Sequence, residues 1–176
     1  MHLSHEAPNI CANSKILIIE DNLEDFEFTT RALLQAGFEG EWHHVQDGQQ
    51  AIDYLQYLDA QHEKDSSCEF PSLIFLDLNM PRISGVKILE TIKEHSRFKK
   101  IPVLILSTSN QKRHVDECYS KGANSYIHKS LNYSDLKASM ESVIRYWFSS
   151  AILPDPAFDY KEEFEQQSFY LQPEIN

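Results

Sequence analysis

The chain has 176 residues and a formal net charge of −11, with 27 acidic residues against 16 Lys and Arg. That length suits one domain with a full hydrophobic core, and 41% hydrophobic with 24% charged residues is ordinary globular composition. The acidic balance argues against a general nucleic-acid binder and against a polybasic membrane patch, and no apolar run approaches the ~18 residues of a spanning helix.

Residues 1–14 read as an N-terminal extension. It has no basic stretch followed by an apolar one, so no secretory signal is expected. The first strand is expected at Ile16-Leu17-Ile18-Ile19 and stops abruptly at Glu20-Asp21. Leu23, Phe26, Leu33 and Leu34 then mark a helix closed by Gly37. A weaker strand is expected from Trp42 to Val45. After the Asp47-Gly48 turn, Ala51, Ile52, Leu55 and Leu58 mark a second helix. Residues 61–69 are polar and irregular, an insertion-like loop. Leu73-Ile74-Phe75-Leu76 is the third strand and ends at Asp77; Ile88, Leu89 and Ile92 mark the helix after it. Val103-Leu104-Ile105-Leu106 ends at Ser107-Thr108-Ser109. Val115, Cys118 and Tyr119 give a weak fourth helix before Gly122. The last strand, Ser125 to His128, ends at Lys129. Leu136, Met140, Val143, Ile144 and Trp147 give a strong fifth helix, with Ser134 expected as its N-cap.

Five β-α units mean a doubly wound α/β domain: a parallel sheet, right-handed crossovers and helices on both faces. The three strands that are apolar at every position belong at its centre. After Pro154 the composition changes. Six acids stand against Lys161 alone, interleaved with Phe158, Tyr160, Phe164, Phe169 and Tyr170, and no separate output domain is expected there. Trp147, Phe148 and Ile152 either close the core or form a dimer face. Three cysteines with no Cys-x-x-Cys pair point to a reducing, cytoplasmic compartment without a zinc site or disulfide framework. His43-His44 reads as strand surface and His2-x-x-His5 as a chain terminus, rather than metal sites.

In an open α/β sheet, ligands bind outside the carboxyl ends of the strands. The residues at those ends are Glu20, Asp21, Asp77, Ser107 and Lys129. Three carboxylates brought together repel one another unless a cation joins them, and Mg²⁺ with its oxygen ligands meets that need. A hydroxyl and an ammonium supply what a phosphoryl group requires on its remaining oxygens. Each residue alone has a bland explanation as a helix cap, turn or solvated charge. Their coincidence at the ends of separate strands favours a phosphoryl site.

Ile16-Leu-Ile-Ile-Glu-Asp-Asn22, Leu73-Ile-Phe-Leu-Asp-Leu-Asn-Met-Pro81 with Gly85, Pro102-Val-Leu-Ile-Leu-Ser107 and Tyr126-Ile-His-Lys129 together resemble the response-regulator receiver domain. The resemblance runs from about Lys15 to Phe148, within a receiver domain expected over 15–153, and implies a flavodoxin-like (βα)5 sandwich with strand order 2-1-3-4-5. It implies that Asp77 is the phosphoacceptor, that Glu20 and Asp21 bind Mg²⁺ with Asp77, and that Asn79 adds a backbone carbonyl to the metal site. Lys129 and Ser107 would contact the phosphoryl group, Thr108 would flank it, and Tyr126 would follow the activation state. The implied partner is a sensor histidine kinase or a histidine phosphotransfer protein, with a homodimer through the helix 4, strand 5 and helix 5 face. The implied role is signalling rather than enzymatic turnover.

Four departures stand out. Ser107 replaces the usual Thr, Glu20 the commoner Asp, and Thr108 a smaller Ala or Gly. Ser130 replaces the Pro that usually follows the lysine, which removes the usual reason for a cis peptide there. The loop at 61–69 and the stretch from Ile144 to Pro154 resemble single-domain regulators that partner phytochrome-type kinases. Two other functions compete: an Asp-nucleophile, Mg²⁺-dependent phosphatase of the haloacid dehalogenase type, and an adaptor that keeps the fold without phosphorylation. The phosphatase generally wants a second Asp where this chain has Asn79. The intact acids, hydroxyl and lysine argue against the adaptor.

Overall fold

The structure is a computed structural model and describes residues 14–158. Five strands form one parallel sheet: β1 (Lys15–Ile19), β2 (Glu41–Val45), β3 (Leu73–Asp77), β4 (Val103–Ser107) and β5 (Ser125–His128). Their order is β2-β1-β3-β4-β5, the order that the resemblance implies. Between and after them run α1 (Leu23–Gln35), α2 (Gly48–His62), α3 (Gly85–Glu94), α4 (Lys112–Ser120) and α5 (Tyr133–Arg145).

Composition accounts for which strands are central. β3 and β4 are buried along their whole length, and β1 is buried after Lys15. Successive strand residues point to opposite faces, so each central strand feeds two cores. Ile16 and Ile18 join Leu73, Phe75, Leu104 and Leu106 against Leu33 of α1 and Met140 and Ile144 of α5. Leu17 and Ile19 join Ile74, Leu76, Val103 and Ile105 against Leu55 of α2, Ile88 and Ile92 of α3 and Cys118 of α4. The same alternation places the paired histidines of β2. His43 stacks on Tyr54 of α2 at 3.9 Å, and His44 stacks on Phe26 of α1 at 3.7 Å, so both are packed against helices on opposite sides of the edge strand.

Local chemistry moves several expected boundaries. The N-cap of α5 is Asn132, not Ser134: its side chain accepts from the Ser134 N–H at 2.9 Å, and its own N–H donates to Ser130 Oγ at 3.0 Å. Asn is at least as good a cap as Ser, and the preceding turn presents it first. Helix α2 continues through His62, so the polar loop begins at Glu63. In α1 the buried face is Thr29, Thr30, Ala32 and Leu33, whereas Leu23 and Leu34 are exposed. After α5 the chain widens into a π-helical turn, Tyr146–Ser150. That turn buries Phe148 against Phe38, with ring centroids 5.4 Å apart, and half-buries Trp147 beside it. Phe148 therefore closes the core and is not part of a surface; Ile152 is 99% exposed. Among the described residues no peptide bond is cis, Lys129–Ser130 included. His2, His5, Cys11 and the acidic segment 159–176 lie outside the described residues.

One glycine fixes where the end of β3 can go. A Cβ on Gly85 would lie 2.2 Å from the Asp77 carbonyl oxygen and 2.7 Å from Leu78 Cα. Helix α3 thus starts directly against the backbone of β3, its Gly85 N–H donating to the Leu78 carbonyl at 3.2 Å. Backbone cannot swing aside as a side chain does, so Gly85→Ala should cost about 2 kcal/mol or more of stability, as overpacked sites do. Urea unfolding measures this; a variant as stable as the parent would contradict the close approach.

Candidate functional site

The site is assembled where the strands end. The Glu20 N–H still donates to the Val45 carbonyl of β2 at 3.0 Å, so the residue after β1 remains in the sheet and its side chain is buried. Glu20 Oε1 accepts from the Asn22 N–H at 3.2 Å, and His44 Nε2 bonds the Glu20 carbonyl at 2.8 Å. Asn22 caps α1 by accepting from the N–H groups of Glu24 and Asp25. The chain therefore turns at once into a helix, leaving Asp21 exposed beside the buried Glu20.

Asp77 is the last residue of β3 and is buried. Its Oδ2 accepts from the Asn79 N–H at 2.9 Å, and its Oδ1 lies 3.1 Å from Lys129 Nζ. The loop after it passes through Arg82 at φ 68, a left-handed conformation unfavourable for a side chain of that size. Arg82 Nη2 holds the loop by donating to Asp47 Oδ2 at 2.8 Å, and Asp47 is itself the buried N-cap of α2.

Lys129 reaches the same point from the far side. Its N–H donates to the Ser107 carbonyl at 2.8 Å, continuing the β4–β5 ladder by one residue. Its buried ammonium meets three carboxylates: Glu20 Oε2, Asp25 Oδ2 at 3.0 Å and Asp77 Oδ1. Ser107 is fully buried, with Oγ accepting from the Ser109 N–H at 3.2 Å. The Tyr126 hydroxyl donates to the Ser109 carbonyl at 2.8 Å, so the residues expected to report activation meet at one loop residue. Thr108 is exposed and lines a cavity of about 190 Å³ with Asp25, Phe28, Lys129, Leu131 and Leu136.

Carboxylate oxygens of Glu20, Asp21 and Asp77 all lie within 4.8 Å of one another. Burial pushes the Glu20 carboxyl up to about 7; Lys129 opposes that rise and the Asp77 charge adds to it. Burial alone would lower the Lys129 ammonium, but the Asp77 and Glu20 charges and the Glu20 hydrogen bond outweigh it and raise it. Lys129 is thus a permanent cation, and the acids around it exceed the charge it can neutralise. A hard divalent ion with oxygen ligands fits that excess.

Every strand-end residue singled out in the sequence lies at this edge of the sheet. Two contributors escaped the sequence reading. Asp25 lies in the first turn of α1 and ends no strand, so only the fold brings it against Lys129. The Asp47–Arg82 pair joins residues 35 apart, and nothing local announces it.

Residues 16–141 match the family model described as the response regulator receiver domain. The "Probable methanogenesis regulatory protein FilR2" of Methanothrix harundinacea is 35% identical over 142 residues, spanning 81% of this chain and 88% of that protein. The structure of the phosphorylated cyanobacterial phytochrome response regulator RcpA superposes with a TM-score of 0.71 at 35% identity, covering 82% of this chain and all of that one. The Mn²⁺-bound form of Rcp1, a response regulator of Synechocystis, superposes with a TM-score of 0.69 at 31% identity, covering 80% and 99%. No helix among the described residues is long and apolar enough to cross a membrane. With the matched stretch carrying the acids, the hydroxyl and the lysine of the site just described, the chain belongs to the response regulator receiver family of two-component signalling proteins.

Proposed function

We propose that this protein accepts a phosphoryl group on Asp77 from a phosphohistidine of a sensor kinase or phosphotransfer protein, and thereby switches a protein-binding face. The observation that carries the reading is the placement of Asp77: buried at the end of β3, 3.1 Å from the Lys129 ammonium, with its oxygen clustered with those of Glu20 and Asp21. Residues 15–153 form the receiver unit in this reading, and it works in the cytoplasm as signalling protein rather than enzyme. The likeness to RcpA and Rcp1 supports a phytochrome-type kinase as the phosphoryl source.

The Asn79 N–H fixes Oδ2 of Asp77 and so orients the carboxylate, leaving Oδ1 toward Lys129. An Asp77 oxygen attacks phosphorus; the O–P bond forms as the partner's P–N bond breaks, and the departing imidazole nitrogen keeps the electron pair. Lys129 stabilises charge on the transferred oxygens as it develops. The residues that would hold Mg²⁺ are Glu20, Asp21, Asp77 and the Asn79 backbone carbonyl. The ion, when bound, supplies neutralisation of the phosphoryl oxygens. The Rcp1 complex with Mn²⁺ and the surplus of buried carboxylate support that assignment. Thr108, at the mouth of the adjoining cavity, narrows the approach of hydrolytic water.

For the switch, Ser107 turns its hydroxyl from the Ser109 N–H to a phosphoryl oxygen. The loop that Tyr126 holds through the Ser109 carbonyl is then free to repack, and Tyr126 with it. That couples the site to the surface of α4, β5 and α5, proposed as the face for a second copy or another protein partner rather than nucleic acid. A phosphatase reading finds less support, since Asn79 offers no second acid and its N–H is committed to Asp77.

Asp77→Asn should abolish phosphoryl uptake from acetyl phosphate with Mg²⁺, read as intact mass, while the fold persists. Uptake undiminished in that variant would place the acceptor elsewhere. A second prediction concerns the cation-free protein. Glu20 is raised in the folded state, so its stabilising contribution is fully present below about 4.5 and is lost as pH rises through about 7. In chelator, stability should therefore fall by about 1–3 kcal/mol from this group between about pH 5 and pH 8. Added Mg²⁺ should restore more at pH 8 than at pH 5. Glu20→Gln should flatten the trend; a slope unchanged in that variant would assign it to another group.

A further inference from the structure

The Lys129 ammonium has three N–H donors, and three carboxylates surround it. Two of them, Glu20 and Asp77, also belong to the trio of clustered acids. Asp25 stands outside that trio. It is fixed in the first turn of α1, where its N–H donates to Asn22 Oδ1 at 3.1 Å, and its side chain is 43% exposed on the cavity side of the lysine. Asp25 is thus the one carboxylate touching Lys129 that neither phosphoryl transfer nor the acid trio uses.

Resting on the reading of Asp77 above, we propose that Asp25 is a positioning residue for Lys129: a counter-charge on α1 that holds the ammonium between Asp77 and the cavity while the chemistry claims Glu20 and Asp77. The geometry explains why a third acid is needed. With Asp25 neutral, Nζ keeps only Glu20, which already bonds it, and Asp77 at 3.1 Å. The ammonium would then settle toward Glu20, away from the oxygens it must meet, and would occupy a carboxylate of the acid trio. Asp25 opposes that drift from the first turn of α1, at 3.0 Å. Because it approaches from α1, the contact also ties the first turn of that helix to the state of the site.

The test compares the parent with Asp25→Asn and Asp25→Glu by phosphoryl uptake from acetyl phosphate over a range of concentrations at saturating Mg²⁺. In the same samples, the Lys129 side-chain ammonium is followed by ¹⁵N NMR. Asp25→Asn should lower the limiting rate about tenfold, the size expected of one charge-assisted hydrogen bond, with little change in the concentration giving half the limit. Its Lys129 ammonium signal should shift and exchange faster with water. Asp25→Glu, which keeps the charge, should recover most of the rate. Uptake by Asp25→Asn at the parent's rate, or an Asp25→Glu variant as slow as Asp25→Asn, would overturn the positioning role. A parent that takes up no phosphoryl group would overturn the reading of Asp77, and the inference with it; an unchanged Lys129 signal in Asp25→Asn would overturn the inference alone.

Discussion

A buried ammonium surrounded by acids is the interaction on which the rest of this molecule depends. Lys129 ends the β5 ladder, Glu20 follows β1, Asp77 ends β3 and Asp25 begins α1, so one cation ties together elements from across the sequence. Burying such charges is costly, and removing one member of a buried set leaves its partners uncompensated at a cost of about 3–5 kcal/mol. The arrangement is therefore held for what it does. Carboxylate in excess of the lysine's charge leaves negative charge that a divalent ion fits.

The fold makes that concentration of charge tolerable by placing it where the apolar strands stop. β3 is apolar on both faces up to Leu76 and polar at the next residue, and β4 does the same at Ser107. Two cores, one on each face of the sheet, grip the strands so that their ends cannot drift. Gly85 brings the start of α3 against the Asp77 backbone, and the Arg82–Asp47 ion pair restrains the loop between them. The rigidity of the apolar layers is what lets the acids sit within reach of one another without collapsing into simple solvent exposure.

Most of this was legible in the sequence because it is written in short range. A four-residue apolar run that stops at a polar residue marks a central strand, as at β1, β3 and β4, and five β-α units in alternation leave few topologies. What was not legible depends on long-range contact or on choices among equivalent caps. Asn132 and Ser134 are both good caps, and only the turn through Ser130 selects the first. Phe148 stands at the end of the expected fifth helix, where the sequence leaves core and surface roles open, and the π-turn carries it inward. In the sequence Asp25 is one more acid in a helix's first turn; only the fold brings Lys129, 104 residues away, against it.

The divalent-cation site proposed for this chain is the strand-end cluster of Glu20, Asp21 and Asp77. Titrating the protein with Mn²⁺ and following backbone amide signals by NMR tests it most directly, because paramagnetic broadening marks the neighbours of the ion. The expected result is broadening centred on Asp21, Asp77 and Asn79, saturating at one ion per chain and reversed by excess Mg²⁺. Broadening centred on His43 and His44, or none at all near Asp77, would contradict it.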